Sequence, residues 1–209
     1  MLAQQLADHA GREGLLVLAL PRGGVPVGFE VASALDAPLD VFVVRKIGVP
    51  FHEELAMGAV ASGGVRVVNE HVVEVLGITE EQFEAAAAAE TAEVERRERL
   101  YRGDQPPVDV HGRHVILVDD GLATGSTMRA AARALRAQQP QSLTVAVPVA
   151  AEETCYEVRS DIDEIVCGFT PQPFLAVGVW YEDFRPTSDD EVRELLAQAS
   201  QLHRNPSAL

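Results

Sequence analysis

Continuous apolar runs of four to six residues, each ending at a charged residue or a proline, constrain this chain most. Leu15–Leu20 ends at Pro21, and Val41–Val44 ends at Arg45 and Lys46. Val115–Val118 ends at Asp119 and Asp120, and Leu143–Val147 ends at Pro148. Glu164–Cys167 reads as a fifth strand and Leu175–Trp180 as a sixth. Runs without polar alternation suit strands covered on both faces. Helical patterns join several of them, over Val27–Leu35, Thr127–Gln138 and Glu152–Ser160. That rhythm predicts an α/β fold, a Rossmann-like parallel sheet core flanked by helices. A mixed α+β arrangement is the alternative.

The rhythm breaks between residues 48 and 107. Leu55–Ala61 and Val65–Val68 flank Ser62-Gly63-Gly64 and read as a hairpin. Thr79, with Gln82 three residues later, has the form of a capping box opening a long Ala-, Glu- and Arg-rich helix that stops near Gly103. We expect residues 1–47 and 108–209 to form the α/β core. Residues 48–107 are then an insertion, a candidate hood or lid over the sheet, or else packed on its edge. Asp104–Pro107 reads as a linker, and His203–Leu209 as a polar, frayed tail.

Composition narrows the partners. The formal charge is −15 over 209 residues. Such a field repels phosphate backbones and argues against nucleic acid, though not against a local basic pocket. The N-terminal residues lack the pattern of a signal peptide, and no apolar run reaches membrane-spanning length. Cys155 and Cys167 can pair only once, which excludes a disulfide scaffold. The expectation is a soluble, cytoplasmic protein in a reducing setting, with no membrane partner.

The segment Val115-Ile116-Leu117-Val118-Asp119-Asp120-Gly121-Leu122-Ala123-Thr124-Gly125-Ser126-Thr127 carries the strongest chemical signal. A buried strand ends in two carboxylates, a short turn follows, and a helix begins. Free N–H groups at a helix N-terminus bind phosphate, and Gly121 and Gly125 let the backbone wrap around it. Hydroxyls of Thr124, Ser126 and Thr127 add donors. Asp119 and Asp120 suit the vicinal hydroxyls of a ribose, at the strand end where open α/β sheets bind ligands. No lysine follows Gly125, so this is not a Walker A loop.

The segment closely resembles the phosphoribosyl-pyrophosphate (PRPP) signature of the type I phosphoribosyltransferases. The resemblance assigns ribose binding to Asp119 and Asp120, and 5-phosphate binding to Ala123, Thr124, Gly125, Ser126 and Thr127. It also implies that Pro21-Arg22-Gly23-Gly24 is the pyrophosphate loop, where a non-proline cis peptide is common in the family. Arg45 and Lys46 resemble the basic pair that neutralises leaving pyrophosphate. Arg22, Arg45 and Lys46 are all expected at carboxyl ends of strands. Phe174–Arg185 resembles the segment that sets an aromatic against the base, with Trp180 and Tyr181 as stacking candidates.

The resulting expectation is an enzyme transferring 5-phosphoribosyl from PRPP to a small acceptor, a nucleobase by resemblance, with pyrophosphate released. Asp119, Asp120, Arg22 and Lys46 are its candidate catalytic residues. Mg²⁺ is the expected cofactor, held mainly by substrate oxygens and waters and only indirectly by Asp119 and Asp120. A homodimer is common in the resembling family. Where 6-oxopurine transferases carry an Asp before the Thr-Gly pair, this chain has Ala123, which disfavours hypoxanthine or guanine. The alternative is a regulatory protein that senses PRPP or a nucleotide without catalysis. A phosphatase using Asp119 is weaker, since Asp-x-Asp spacing is absent. His52, Glu53 and Glu54 read as a solvated loop.

Overall fold

The computed structural model describes residues 1–50 and 52–204. A short helix, α1 (Leu2–Gln5), precedes β1 (Leu15–Ala19) and α2 (Gly24–Leu35). Then come β2 (Leu39–Val41), β3 (Val44–Val49), β4 (His52–Ala61) and β5 (Val65–Val68). Helices α3 (Glu70–Leu76) and α4 (Glu80–Arg102) lead to β6 (His114–Val118) and α5 (Ser126–Ala137). The chain continues through β7 (Ser142–Val149), α6 (Glu152–Val158), β8 (Glu164–Phe169) and α7 (Asp189–Arg204).

Five strands form one parallel sheet in the order β2-β1-β6-β7-β8. Its continuous apolar runs are explained by cover on both faces. Leu16, Leu18, Leu117 and Val145 pack towards α5, while Val17, Ile116 and Val118 pack towards α1 and α2. Alternation of side chains along a strand divides one run between two cores. Each fully buried Leu, Ile or Val contributes about 1.5–3 kcal/mol.

The second sheet is antiparallel, β3-β4-β5. It rests against α5 on one side and α4 on the other. Helix α4 starts at the expected capping box, with the Gln82 N–H donating to Thr79 Oγ1 and the Thr79 N–H to Gln82 Oε1. Phe83, Ala87, Val94 and Tyr101 form its buried stripe. At its far end Arg102 is buried and donates to both carboxylate oxygens of Asp40 at 2.9 Å. That pair anchors α4 to the edge of the parallel sheet at β2. The hairpin β4–β5 and helix α4 fall within residues 48–107, while β3 of the same sheet begins at Val44.

Several expectations need correction. Val41–Val44 is not one strand: β2 ends at Val41, and β3 begins at Val44 in the other sheet. Arg45 and Lys46 therefore lie inside β3, not at the end of a parallel strand. Leu175–Trp180 is not a strand either, since Val177–Trp180 is a turn of 3₁₀ helix beyond the edge strand β8. Leu175 is 72% and Val179 60% exposed, so apolar character there reflects no buried sheet position. Cys155 and Cys167 are joined in the one pairing that two cysteines allow, tying α6 to β8. His52 belongs to β4 rather than a loop, while the side chains of Glu53 and Glu54 lie outside what is described. The expected frayed tail falls partly on residues 205–209, also outside it, while His203 ends up in α7.

Candidate active site

The site forms where β1 and β6, neighbours in the parallel sheet, deliver their following loops side by side. The Pro21–Arg22 peptide is cis, as the family resemblance implied. Its glycines seat that loop directly on the acidic pair. A Cβ on Gly23 would stand 2.0 Å from Asp120 Oδ2, and one on Gly24 would stand 2.9 Å from Asp119 Cα. No other residue permits that approach.

The carboxylates are held by their own backbone. The Asp120 N–H donates to Asp119 Oδ1 at 2.9 Å. Burial, then the adjacent charge of Asp120, pushes the Asp119 carboxyl up to about 8, although the Asp120 N–H opposes the shift. Burial also raises Asp120, against an N–H from Gly121. Two neighbouring acids in a half-dry place resist ionisation unless hydroxyl donors or a cation compensate them. That is the requirement of a site built to receive such a ligand.

The following turn has its own supports. Gly125 takes the left-handed conformation at φ 68° and caps α5. A Cβ there would stand 2.7 Å from Thr154 Cγ2. The Thr154 hydroxyl donates to the Ala123 carbonyl at 2.6 Å, so α6 fixes the turn from behind. Thr124 and Ser126 are exposed, with hydroxyl oxygens 3.4 Å apart. Their position at the start of a twelve-residue helix suits an anion.

A cavity of about 830 Å³ opens beside the acidic pair, lined by Arg22, Gly23, Asp120, Tyr181, Phe184 and Glu191 among others. The Tyr181 hydroxyl donates to the Asp120 carbonyl, which closes the C-terminal segment onto the loop. Burial and the two acids raise the phenol above its ordinary value. Tyr181 and Phe184 lie with ring centroids 5.1 Å apart. Trp180 packs edge-on against Phe169, at 5.2 Å, and does not line the cavity. Of the two stacking candidates, only Tyr181 reaches it.

The three expected cations do not meet. Arg22 lines the large cavity, with Asp189 Oδ1 at 3.9 Å. Successive residues of a strand point to opposite faces, and this splits the basic pair. Arg45 faces α4, its Nε donating to Glu90 at 2.7 Å. Lys46 faces α5 and a separate cavity. The expected joint action of Arg45 and Lys46 on one pyrophosphate is not what this geometry provides.

Sequence reading missed Thr154 and Asp189. Thr154 works through a carbonyl on a distant loop. Asp189 is brought to Arg22 and to the Tyr101 hydroxyl, 2.8 Å away, only by packing of α7. Neither residue stands in a local motif that could have announced it. Among the described residues, no cluster of three or more acidic, His or Cys side chains could hold a metal ion.

In this parallel sheet the turn before α5 and the glycine loop after β1 converge on one acidic pair. The chain belongs to the phosphoribosyl transferase family, whose phosphoribosyl transferase domain matches residues 1–173. It is 44% identical over 198 residues to a Mycobacterium tuberculosis protein provisionally named a phosphoribosyl transferase, covering 95% of this chain and 44% of that one. A ribose-phosphate pyrophosphokinase of Thermococcus kodakarensis is 33% identical over 146 residues, 68% of this chain and 49% of that protein. The chain spans less than half the length of these curated relatives. The crystal structure of TT1426 from Thermus thermophilus superposes with a TM-score of 0.85 at 40% identity, covering 94% of this chain and 93% of that one. No helix among the described residues is long and apolar enough to cross a membrane.

Proposed function

We propose that this chain transfers a 5-phosphoribosyl group from PRPP to a small acceptor and releases pyrophosphate. The observation that carries the reading is the seating of Gly23 and Gly24 on Asp120 and Asp119. It sets a candidate pyrophosphate loop against candidate ribose-binding carboxylates at bonding range of one small molecule. Thr124, Gly125, Ser126 and Thr127 would hold the 5-phosphate at the start of α5. Asp119 and Asp120 would accept hydrogen bonds from the ribose hydroxyls. Arg22, with the N–H groups of its loop, would take charge on the departing pyrophosphate.

In the step itself, the bond from the anomeric carbon to a pyrophosphate oxygen breaks, and a bond to the acceptor forms. Its transition state has oxocarbenium character. This chain's contribution is alignment and charge placement. Mg²⁺, when bound with the substrate, would supply further neutralisation of pyrophosphate, with Asp119 and Asp120 as its indirect protein partners. Tyr181 and Phe184 give the acceptor an apolar wall, which suits a planar ring such as a nucleobase. Ala123, in place of an acid, favours an acceptor other than a 6-oxopurine. Hood-like closure by residues 48–107, and a cytoplasmic homodimer, belong to the same proposal.

Calorimetric titration of PRPP, with and without Mg²⁺, tests the reading. Micromolar, Mg²⁺-enhanced binding that Asp119→Asn with Asp120→Asn abolishes is the expected result. Pyrophosphate release should then appear with one of a set of nucleobases. Binding without release for any of them would favour the PRPP sensor. No binding would remove both.

A further inference from the structure

A second cavity, of about 280 Å³, lies between the β3–β5 sheet and α5 and shares no lining residue with the first. Lys46, Arg129 and Arg133 converge on it in a chain of charge −15. Lys46 is the only lysine in the sequence. Arg129 and Arg133 are four residues apart, hence on one face of α5. Both reach a single carboxylate, Asp161, through Nε, at 3.6 and 3.2 Å. Among the described residues Lys46 has no ion pair. Among the described residues, three cations against one carboxylate leave two positive charges unmatched around a concave surface.

Clustered like charges cost energy unless an anion joins them. Two unmatched charges correspond to one phosphate monoester. Guanidinium forks and the Ser126 hydroxyl at the rim supply donors for its oxygens. The floor is apolar, with Ala59 and Val67 from the sheet and Ala130 from the helix. We propose that this cavity binds a small phosphate-bearing ligand with an apolar body, at a site separate from the acidic pair. The proposal does not depend on phosphoribosyl transfer.

The single lysine makes the test direct. N-hydroxysuccinimidyl acetate acylates Lys46, and the α-amino group of the same chain serves as the reference. Phenyl phosphate is the probe, because it has no ribose hydroxyls to offer Asp119 and Asp120. At about ten times its Kd it should slow Lys46 acylation roughly tenfold. Arg133→Gln should raise the probe's Kd roughly tenfold, the effect of losing a charged hydrogen bond, which leaves about twofold protection at that concentration. Arg129→Gln should act likewise, and circular dichroism checks that both variants fold. Thr124→Val should leave protection intact. No protection in the unaltered chain would overturn the site. So would protection that survives both arginine variants and disappears with Thr124→Val, which would put the probe in the turn before α5. Equal protection by inorganic phosphate would overturn the apolar body.

Discussion

The two cavities border the same turn and spend charge in opposite ways. Beside Asp120, carboxylates are packed where burial resists their ionisation, and glycines bring a second loop against them. Beside Ser126, cations from two elements stand half exposed around an apolar floor. The first arrangement costs stability in the empty protein and repays it only when a ligand supplies donors. The second is cheaper, because exposed arginines remain solvated and share a carboxylate. Close packing of unlike loops therefore marks the site more sharply than net charge does.

The strongest way to break this contrast is Gly23→Ala. Its Cβ would fall 2.0 Å from Asp120 Oδ2, so the Asp120 carboxylate must turn out of its place against the loop. A displacement of that size should cost about 100-fold in PRPP affinity by titration. Thermal unfolding should change by only a few degrees if the core is intact.

Asp119→Asn tests the cost itself. The folded-state value near 8 lies above the unfolded one, so the native state holds a proton that the unfolded chain has already lost. Stability from this group is thus present at low pH and falls as pH rises from about 4 to about 8. The variant should match the unaltered chain near pH 4 and exceed it above pH 8, by on the order of 3 kcal/mol, in denaturant unfolding. Equal stability across that range would show that the acid pair is not strained when empty.

Tyr181→Phe removes the donor to the Asp120 carbonyl and keeps the ring. A loss of about 1 kcal/mol is expected, read as a several-fold fall in kcat/KM for the acceptor with PRPP affinity little changed. An equal fall in PRPP affinity would shift the role of Tyr181 from the acceptor wall to the ribose.

Arg45→Met should have the smallest effect. The side chain pairs with Glu90 on α4, and partly exposed pairs contribute about 0–1 kcal/mol. PRPP affinity should change less than about twofold. A larger loss would return Arg45 to the pyrophosphate and show that β3 moves when substrate binds.

Much of the candidate site was legible because it is local. Asp119 through Thr127 are consecutive, so strand, turn and helix start are read together. Pro21 through Gly24 are readable for the same reason. The capping box at Thr79 and Gln82 has fixed spacing and reappears as hydrogen bonds. Apolar runs fail as a guide where their burial depends on neighbours. Leu175–Trp180 has the composition of a strand but no strand partner, and it turns instead. Helix α7 went unread, although its first residue meets Arg22.

The sequence by itself determined the parallel α/β core, the acidic pair with the turn that follows it, and the capped long helix. Each follows from backbone preferences and side-chain periodicity within a dozen residues. Tertiary structure decided which cations serve which cavity, because strand parity in β3 sends Arg45 and Lys46 apart. It also decided that Tyr181 rather than Trp180 closes on Asp120, and that Thr154 braces Ala123. Those outcomes depend on the register and packing of elements far apart in the chain, and a contact between distant segments leaves no periodicity in either one.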